Sequence, residues 1–214
     1  MSDKLAAALA KCAGGEGQCL RDPADGYAIL KDLKGETQAL LVATDDHPGI
    51  EDRSLQTATA PNYFAMAWSA RGCVSKLAGA PIPDDALSLA INSAYGRTQG
   101  RLHIHIDRLQ PALLAWLKDG QDLVFNGDRY RVEKIERLAD VNLFQKVAKA
   151  SGTADISLNT IVVVGAPGGG FFLLTSRAEC PRNLGNGEEL QVDHPTLSTE
   201  RFATLRQQAS GCAP

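Results

Sequence analysis

In the run Leu102-His103-Ile104-His105-Ile106-Asp107, two imidazoles and a carboxylate alternate with apolar residues. That period of two marks a strand with one buried face. Leu102, Ile104 and Ile106 are expected to enter a core, leaving His103, His105 and Asp107 in a solvent-facing row on the other side. Same-face residues on a strand lie about 6.5–7 Å apart, so the three polar groups can address one small ligand. Two of the chain's four histidines are in this row. Three readings fit it: a polar face that simply meets water, a metal-ligand set, or an imidazole nucleophile that attacks phosphorus and is transiently substituted.

The residues upstream separate these readings. Asn92, Ser93, Arg97, Thr98 and Gln99 supply neutral and cationic donors suited to phosphate oxygens and a ribose. The loop 92–101 holds no further acidic or histidine ligand, as a metal would require. Donors around an imidazole therefore favour phosphoryl chemistry, and neither a metal nor a cofactor is expected. For Arg97 the alternative is a structural partner in the Asp84/Asp85 region. His47, beside Asp45 and Asp46, is expected to be exposed, and His194 before Pro195 forms no pattern. Gly168 to Gly170 follow a strand with no helix after them, so a hairpin turn is expected there rather than a phosphate cradle.

These groups must be held by a domain of ordinary composition. The 214 residues, 44% hydrophobic and 22% charged, suffice for one domain with a substantial core. A net charge of −3 gives no reason to expect nucleic acid as a partner, although Arg97 and Arg101 form a local basic patch suited to a phosphate-bearing small molecule. No segment approaches the ~20 apolar residues of a membrane-spanning helix, and Leu5 to Ala10 falls short of a signal-peptide core. Of five cysteines, Cys12 and Cys19 bracket a glycine-rich loop that a disulfide would close, Cys180 and Cys212 are a second candidate pair, and Cys73 is expected to be a buried thiol in a helix. Paired cysteines predict a periplasmic or inner-membrane-associated protein, held through a segment outside this chain. Five reduced thiols predict a cytoplasmic one.

Helices are expected over Lys4 to Cys12, Pro61 to Leu77, Pro111 to Lys118, Asn142 to Ala150 and Thr199 to Gln208. Strands are expected over Tyr27 to Leu33, Thr37 to Thr44, Ala86 to Ile91, 102 to 106, Leu123 to Phe125, Arg129 to Ile135, Ile161 to Val164 and Phe171 to Thr175. Asp45 to Ala60 reads as irregular. The mixture predicts an α+β fold with a mainly antiparallel sheet, flanking helices and extra C-terminal strands. It is taken as a single domain with its core over about 25–120 and an extension over 121–214.

The spacing of Asn92, Gln99, His103 and His105 resembles that of the histidine-triad (HIT) superfamily. More narrowly, Ser88-Leu89-Ala90-Ile91-Asn92-Ser93, Gly96-Arg97-Thr98-Gln99 and His103-Ile104-His105-Ile106 resemble the CDP-diacylglycerol pyrophosphatase family. Gly49-Ile50-Glu51, Ala60-Pro61-Asn62-Tyr63-Phe64, Ala67-Trp68 and the early cysteines add to the likeness, which is strongest over about 25–115. The resemblance implies a HIT-like fold and hydrolysis of CDP-diacylglycerol to CMP and phosphatidate through a nucleotidyl-histidine. It implies His105 as nucleophile, His103 as its proton-transfer and phosphate-orienting partner, Gln99 on phosphate and Asn92 on ribose. Asp107 stands where the third histidine would be, as an acceptor that could orient an imidazole. A membrane surface is the implied source of substrate, and a homodimer is left open. Two alternatives remain: a pyrophosphatase or nucleotidyltransferase for small soluble nucleotides, and a metal- or nucleotide-binding module without catalysis.

Overall fold

The computed structural model describes residues 4–14, 19–24, 26–117, 121–125, 127–179 and 185–193. Nine strands form one antiparallel sheet. They are β1 (Cys19–Ala24), β2 (Tyr27–Lys31), β3 (Ala39–Ala43), β4 (Leu87–Ile91), β5 (His103–Arg108), β6 (Leu123–Phe125), β7 (Asp128–Ile135), β8 (Asn159–Gly165) and β9 (Phe171–Arg177), in the order β1-β2-β3-β5-β4-β8-β9-β7-β6. β3, β4 and β8 are buried along their whole length. That explains why Ala39–Ala43 and Ile161–Val164 read as continuous apolar runs rather than alternations.

Helices cover both faces. On one, α2 (Tyr63–Ser69), α3 (Gly72–Ala78) and α5 (Leu143–Ser151) pack Phe64, Val74, Phe144 and Val147 onto Ile29, Leu41, Leu89, Ile104, Ile106 and Val163. The second face carries two smaller clusters. Leu5, Leu9 and Cys12 of α1 (Lys4–Ala13) cover Leu30, Leu40 and Val42, while Leu113 and Leu117 of α4 (Pro111–Leu117) lie with Val162, Val164, Phe172 and Leu190. The expected inward set on β5 is in the core as the alternation requires.

The expected helix Pro61 to Leu77 is two helices. Asn62 caps α2 by accepting from Ala65 N, 3.1 Å, so Pro61 lies before the cap rather than in the first turn. Arg71 ends the helix: its Nη1 donates to Trp68 O at 3.0 Å and its guanidinium grips both Asp84 oxygens. α3 restarts at Gly72 and stops at Gly79, whose φ of 66° suits glycine. β1 was not expected, because Leu-Arg-Asp-Pro shows no alternation. It is an edge strand with register shifts against β2, where a proline is tolerated. Cys12 and Cys19 form a disulfide that ties α1 to β1. Cys73 has no disulfide partner and is only part-buried, a correction to its expected full burial, because α3 turns it toward the rim of the core. Cys180, Cys212, His194 and the expected helix Thr199 to Gln208 lie outside the described residues. Gly168 to Gly170 form the β8–β9 turn, closed by Ala166 N to Gly170 O at 3.0 Å.

The segment 185–193 crosses the second face as a strap. Ser93 N donates to Gly185 O at 2.9 Å, Gln110 N to Leu190 O at 2.9 Å, and Val192 N to Arg108 O at 2.9 Å. Glycine allows the approach, since a Cβ on Gly187 would stand 2.6 Å from Val162 Cγ2 and 2.7 Å from Thr160 Cγ2. Both of those atoms are short side-chain branches on β8. Gly187→Ala should therefore lower stability by roughly 1–3 kcal/mol. Denaturant unfolding checks this, and an unchanged midpoint would show that the strap does not pack this closely.

Candidate active site

β5 lies between β3 and β4, with His105 opposite Leu40 and Ala90 and His103 opposite Val42. The two imidazoles share the second face, their ring centroids 5.0 Å apart and planes inclined at 66°. The row does not face open solvent, as the alternation alone had suggested. His103, His105 and Asp107 are 7%, 5% and 0% exposed, because α1 and the strap close over that side of the sheet.

His103 Nδ1 lies 2.7 Å from Arg101 O, so this nitrogen carries the proton and donates. Burial, then the neighbouring His105, brings the His103 imidazole down to about 4. His103 is thus neutral at physiological pH. His105 Nδ1 stands 3.1 Å from Glu188 Oε2, with both side chains buried. Glu188 was not among the expected site residues. It sits in Gly185-Asn186-Gly187-Glu188-Glu189, a stretch with turn composition and no periodicity, and only the strap's path over β4 and β5 brings it to the histidines.

The remaining candidates divide. Asn92, immediately after β4, accepts at Oδ1 from Glu188 N, 3.3 Å, and so belongs to the same cluster. Ser93 is fully buried, and its Oγ accepts from Tyr95 N and Gly96 N at 3.2 and 3.1 Å, shaping the start of the loop. The Arg97 guanidinium forms a two-point pair with Glu51 over Gly49. The Asp84 alternative is therefore corrected, since Asp84 is taken by Arg71. Arg97 lies near enough to His103 to help disfavour its protonation. Thr98 is exposed, and Gln99 Oε1 accepts from Lys4 N at 3.2 Å, which places α1's start against the loop. Arg101 donates to Asp45 O at 3.0 Å and reaches Asp46, so the expected basic patch is largely engaged within the protein.

Asp107 turns its carboxylate away from the imidazoles. Oδ1 accepts from Thr37 Oγ1 at 2.9 Å and Oδ2 from Asp193 N at 3.0 Å. Burial pushes this carboxyl above its ordinary value, against those donors. The row of three is thus two neighbouring histidines and an aspartate bonded to the strap. His47, expected to be exposed, is instead part-buried 2.7 Å from Asp52 and edge-on to Tyr63. The described residues hold no group of three or more metal-ligating side chains.

The buried neutral imidazole of His103 makes stability depend on pH. An unfolded histidine takes up its proton near pH 6.5, whereas folded His103 resists protonation until about 4. Its contribution is present above about pH 6.5 and is lost as pH falls toward 4, amounting to on the order of 3 kcal/mol. His103→Gln should flatten the stability–pH curve across that window in denaturant titrations. An acid loss identical to that of the parent would contradict the burial described above.

Comparison with known proteins adds a second line to this geometry. A family model described as CDP-diacylglycerol pyrophosphatase matches residues 7–197. A CDP-diacylglycerol pyrophosphatase of Yersinia pestis is 40% identical over 184 residues, spanning 79% of this chain and 71% of that relative. The family match includes β4, the loop that follows it and the histidine strand. The chain belongs to the CDP-diacylglycerol pyrophosphatase family.

Proposed function

We propose that the protein splits CDP-diacylglycerol by passing the CMP group first to His105 Nε2 and then to water. The activity follows from family membership: the protein is a CDP-diacylglycerol pyrophosphatase, a hydrolase. The covalent route rests on one observation, the two imidazoles on a single face of β5 with centroids 5.0 Å apart. The Nε2 lone pair forms a bond to the CMP phosphorus as the bridging P–O bond breaks, and its electrons leave with phosphatidate. Water then attacks the same phosphorus as His103 Nε2 takes its proton and passes it on to solvent, the P–N bond breaks, and the electron pair returns to the His105 ring. Dividing one difficult displacement into two easier ones is the advantage of such catalysis.

His103, kept neutral by burial, holds its proton on Nδ1 and presents Nε2 to the phosphate region as a proton acceptor. Asn92 offers its Nδ2 end to the ribose or phosphate, since Oδ1 is used by Glu188 N. Thr98 and Gln99 lie on the accessible part of the loop and suit the phosphate oxygens. Ser93 and Arg97 act by shaping and charging that loop. Asp107 serves the substrate only by anchoring the strap. The sheet with helices on both faces is compatible with a HIT-like arrangement, which we assign on the histidine strand and its preceding loop.

The Cys12–Cys19 disulfide supports residence in an oxidising compartment such as the periplasm. No helix among the described residues is long and apolar enough to cross a membrane. A diacyl substrate would then be met at a membrane surface.

His105→Ala should abolish turnover, whereas a chelator should leave the parent's rate unchanged. Brief incubation with CDP-diacylglycerol and a quench in base should add one CMP to the peptide holding residues 101–108. Undiminished activity in the variant, or loss of activity with chelator, would remove the covalent route.

A further inference from the structure

We infer that Glu188 is a positioning residue for His105: its carboxylate holds the ring with Nδ1 protonated and Nε2 aimed at the substrate, and it balances the positive charge that the ring acquires when Nε2 bonds to phosphorus. The inference rests on the covalent reading above and names the group which that reading leaves unassigned.

The contact between Glu188 and His105 is a close ion pair rather than an aligned hydrogen bond. Glu188 Oε2 lies 3.1 Å from His105 Nδ1, and the side chains are 4% and 7% exposed. A carboxylate can only accept, so its negative charge beside Nδ1 favours a proton on that nitrogen. Once Nε2 carries the CMP group, the ring cannot discharge through that nitrogen. Its positive charge then sits beside a carboxylate in a low-dielectric setting, where the attraction is far stronger than in water. When the P–N bond breaks, the pair returns to Nε2 and the ring is neutral again, so Glu188 neither gains nor loses a proton over the cycle. His103 feels Glu188 only as a lesser influence, outweighed by burial and His105, and its Nδ1 is directed to Arg101 O. The two imidazoles therefore differ in partner: one faces a neutral carbonyl, the other an anion. That difference singles out His105 as the ring suited to becoming a cation.

The carboxylate is itself held in place. Glu188 N donates to Asn92 Oδ1 at 3.3 Å, Gln191 N to Glu188 O at 2.9 Å, and Gly187 lies against Val162, Thr160 and Ala90. Gln191 Nε2 reaches His105 O at 3.4 Å, so the strap contacts the backbone of the residue whose side chain it orients.

The test compares the parent, Glu188→Gln, Glu188→Asp and His105→Ala, all full-length and with thermal unfolding as a check on folding. Glu188→Gln should lower kcat by roughly 10²–10⁴-fold while changing KM much less. Its His105 ring signals in nitrogen-15 NMR should move from the Nδ1-protonated pattern to a mixture of tautomers. The His103 signals, set by Arg101 O, should stay in place. Glu188→Asp, which keeps the charge at a longer reach, should lie between parent and Gln in both measurements. Wild-type kcat with unmoved His105 signals in Glu188→Gln overturns the inference, as does a fall in kcat with those signals unmoved. Should Glu188→Gln fail to fold, Glu188→Asp decides by the same two readings. Failure of the covalent reading is separate: it shows as activity in His105→Ala, whatever the Glu188 variants do.

Discussion

The strap over residues 185–193 is held by buried and part-buried polar groups. Asp193 accepts from Thr37 N, from Thr37 Oγ1 at 3.0 Å and from Gln38 N at 3.0 Å. Asp107 takes Asp193 N, while Gln191 joins Gln38, Ser88 and the His105 carbonyl. Buried donors and acceptors must find partners or forfeit their hydration outright, at about 1–3 kcal/mol each. On the observed path Asp193 and Gln191 supply those partners. Burial alone would raise the Asp193 carboxyl, yet the Thr37 and Gln38 donors and the nearby Arg108 bring it below the ordinary range. Close approach on that path needs Gly35 against Asp193 and Gly187 against β8, since a Cβ at either would overlap its neighbour.

What the strap covers is a pair of chemically identical side chains in different surroundings. Both histidines alternate with core residues on one strand and both are desolvated. His103 has a carbonyl partner and is kept neutral by burial, whereas His105 has an anion 3.1 Å away. Desolvation disfavours charge on either ring, and Glu188 places a buried counter-charge directly beside His105. A hydrolase that passes through a substituted histidine needs such an asymmetry: one ring that can become a cation and a neighbour that remains a base.

The elements around the site were unequally legible. The alternation in 102–106 separated the apolar face of β5 from the face that carries the two imidazoles, because successive side chains of a strand point to opposite sides. Arg71 shows where local reading ends: nothing in the helical spacing of Phe64, Trp68, Val74 and Leu77 reveals that its guanidinium leaves the helix for Asp84 and takes Trp68 O with it. β1 was hidden because its backbone bonds to one neighbour only, which frees its side chains from any periodic demand. Arg97 was correctly suspected of pairing with a carboxylate, but with the wrong one. Glu51 lies in a loop whose course depends on Gly49, where a Cβ would collide with the guanidinium.

By itself the chain's order of residues determined the strand that carries the imidazoles, the donor-rich loop before it, the Cys12–Cys19 pair and the family. Each is a local pattern, readable from spacing and residue type. Tertiary structure alone decided that the imidazoles are enclosed, that Asp107 bonds to Thr37 and the strap, and that Glu188 stands beside His105. These depend on which distant segment lies over an exposed row of polar atoms. That choice depends on hydrogen bonds between segments far apart in the chain, which no short window of sequence contains.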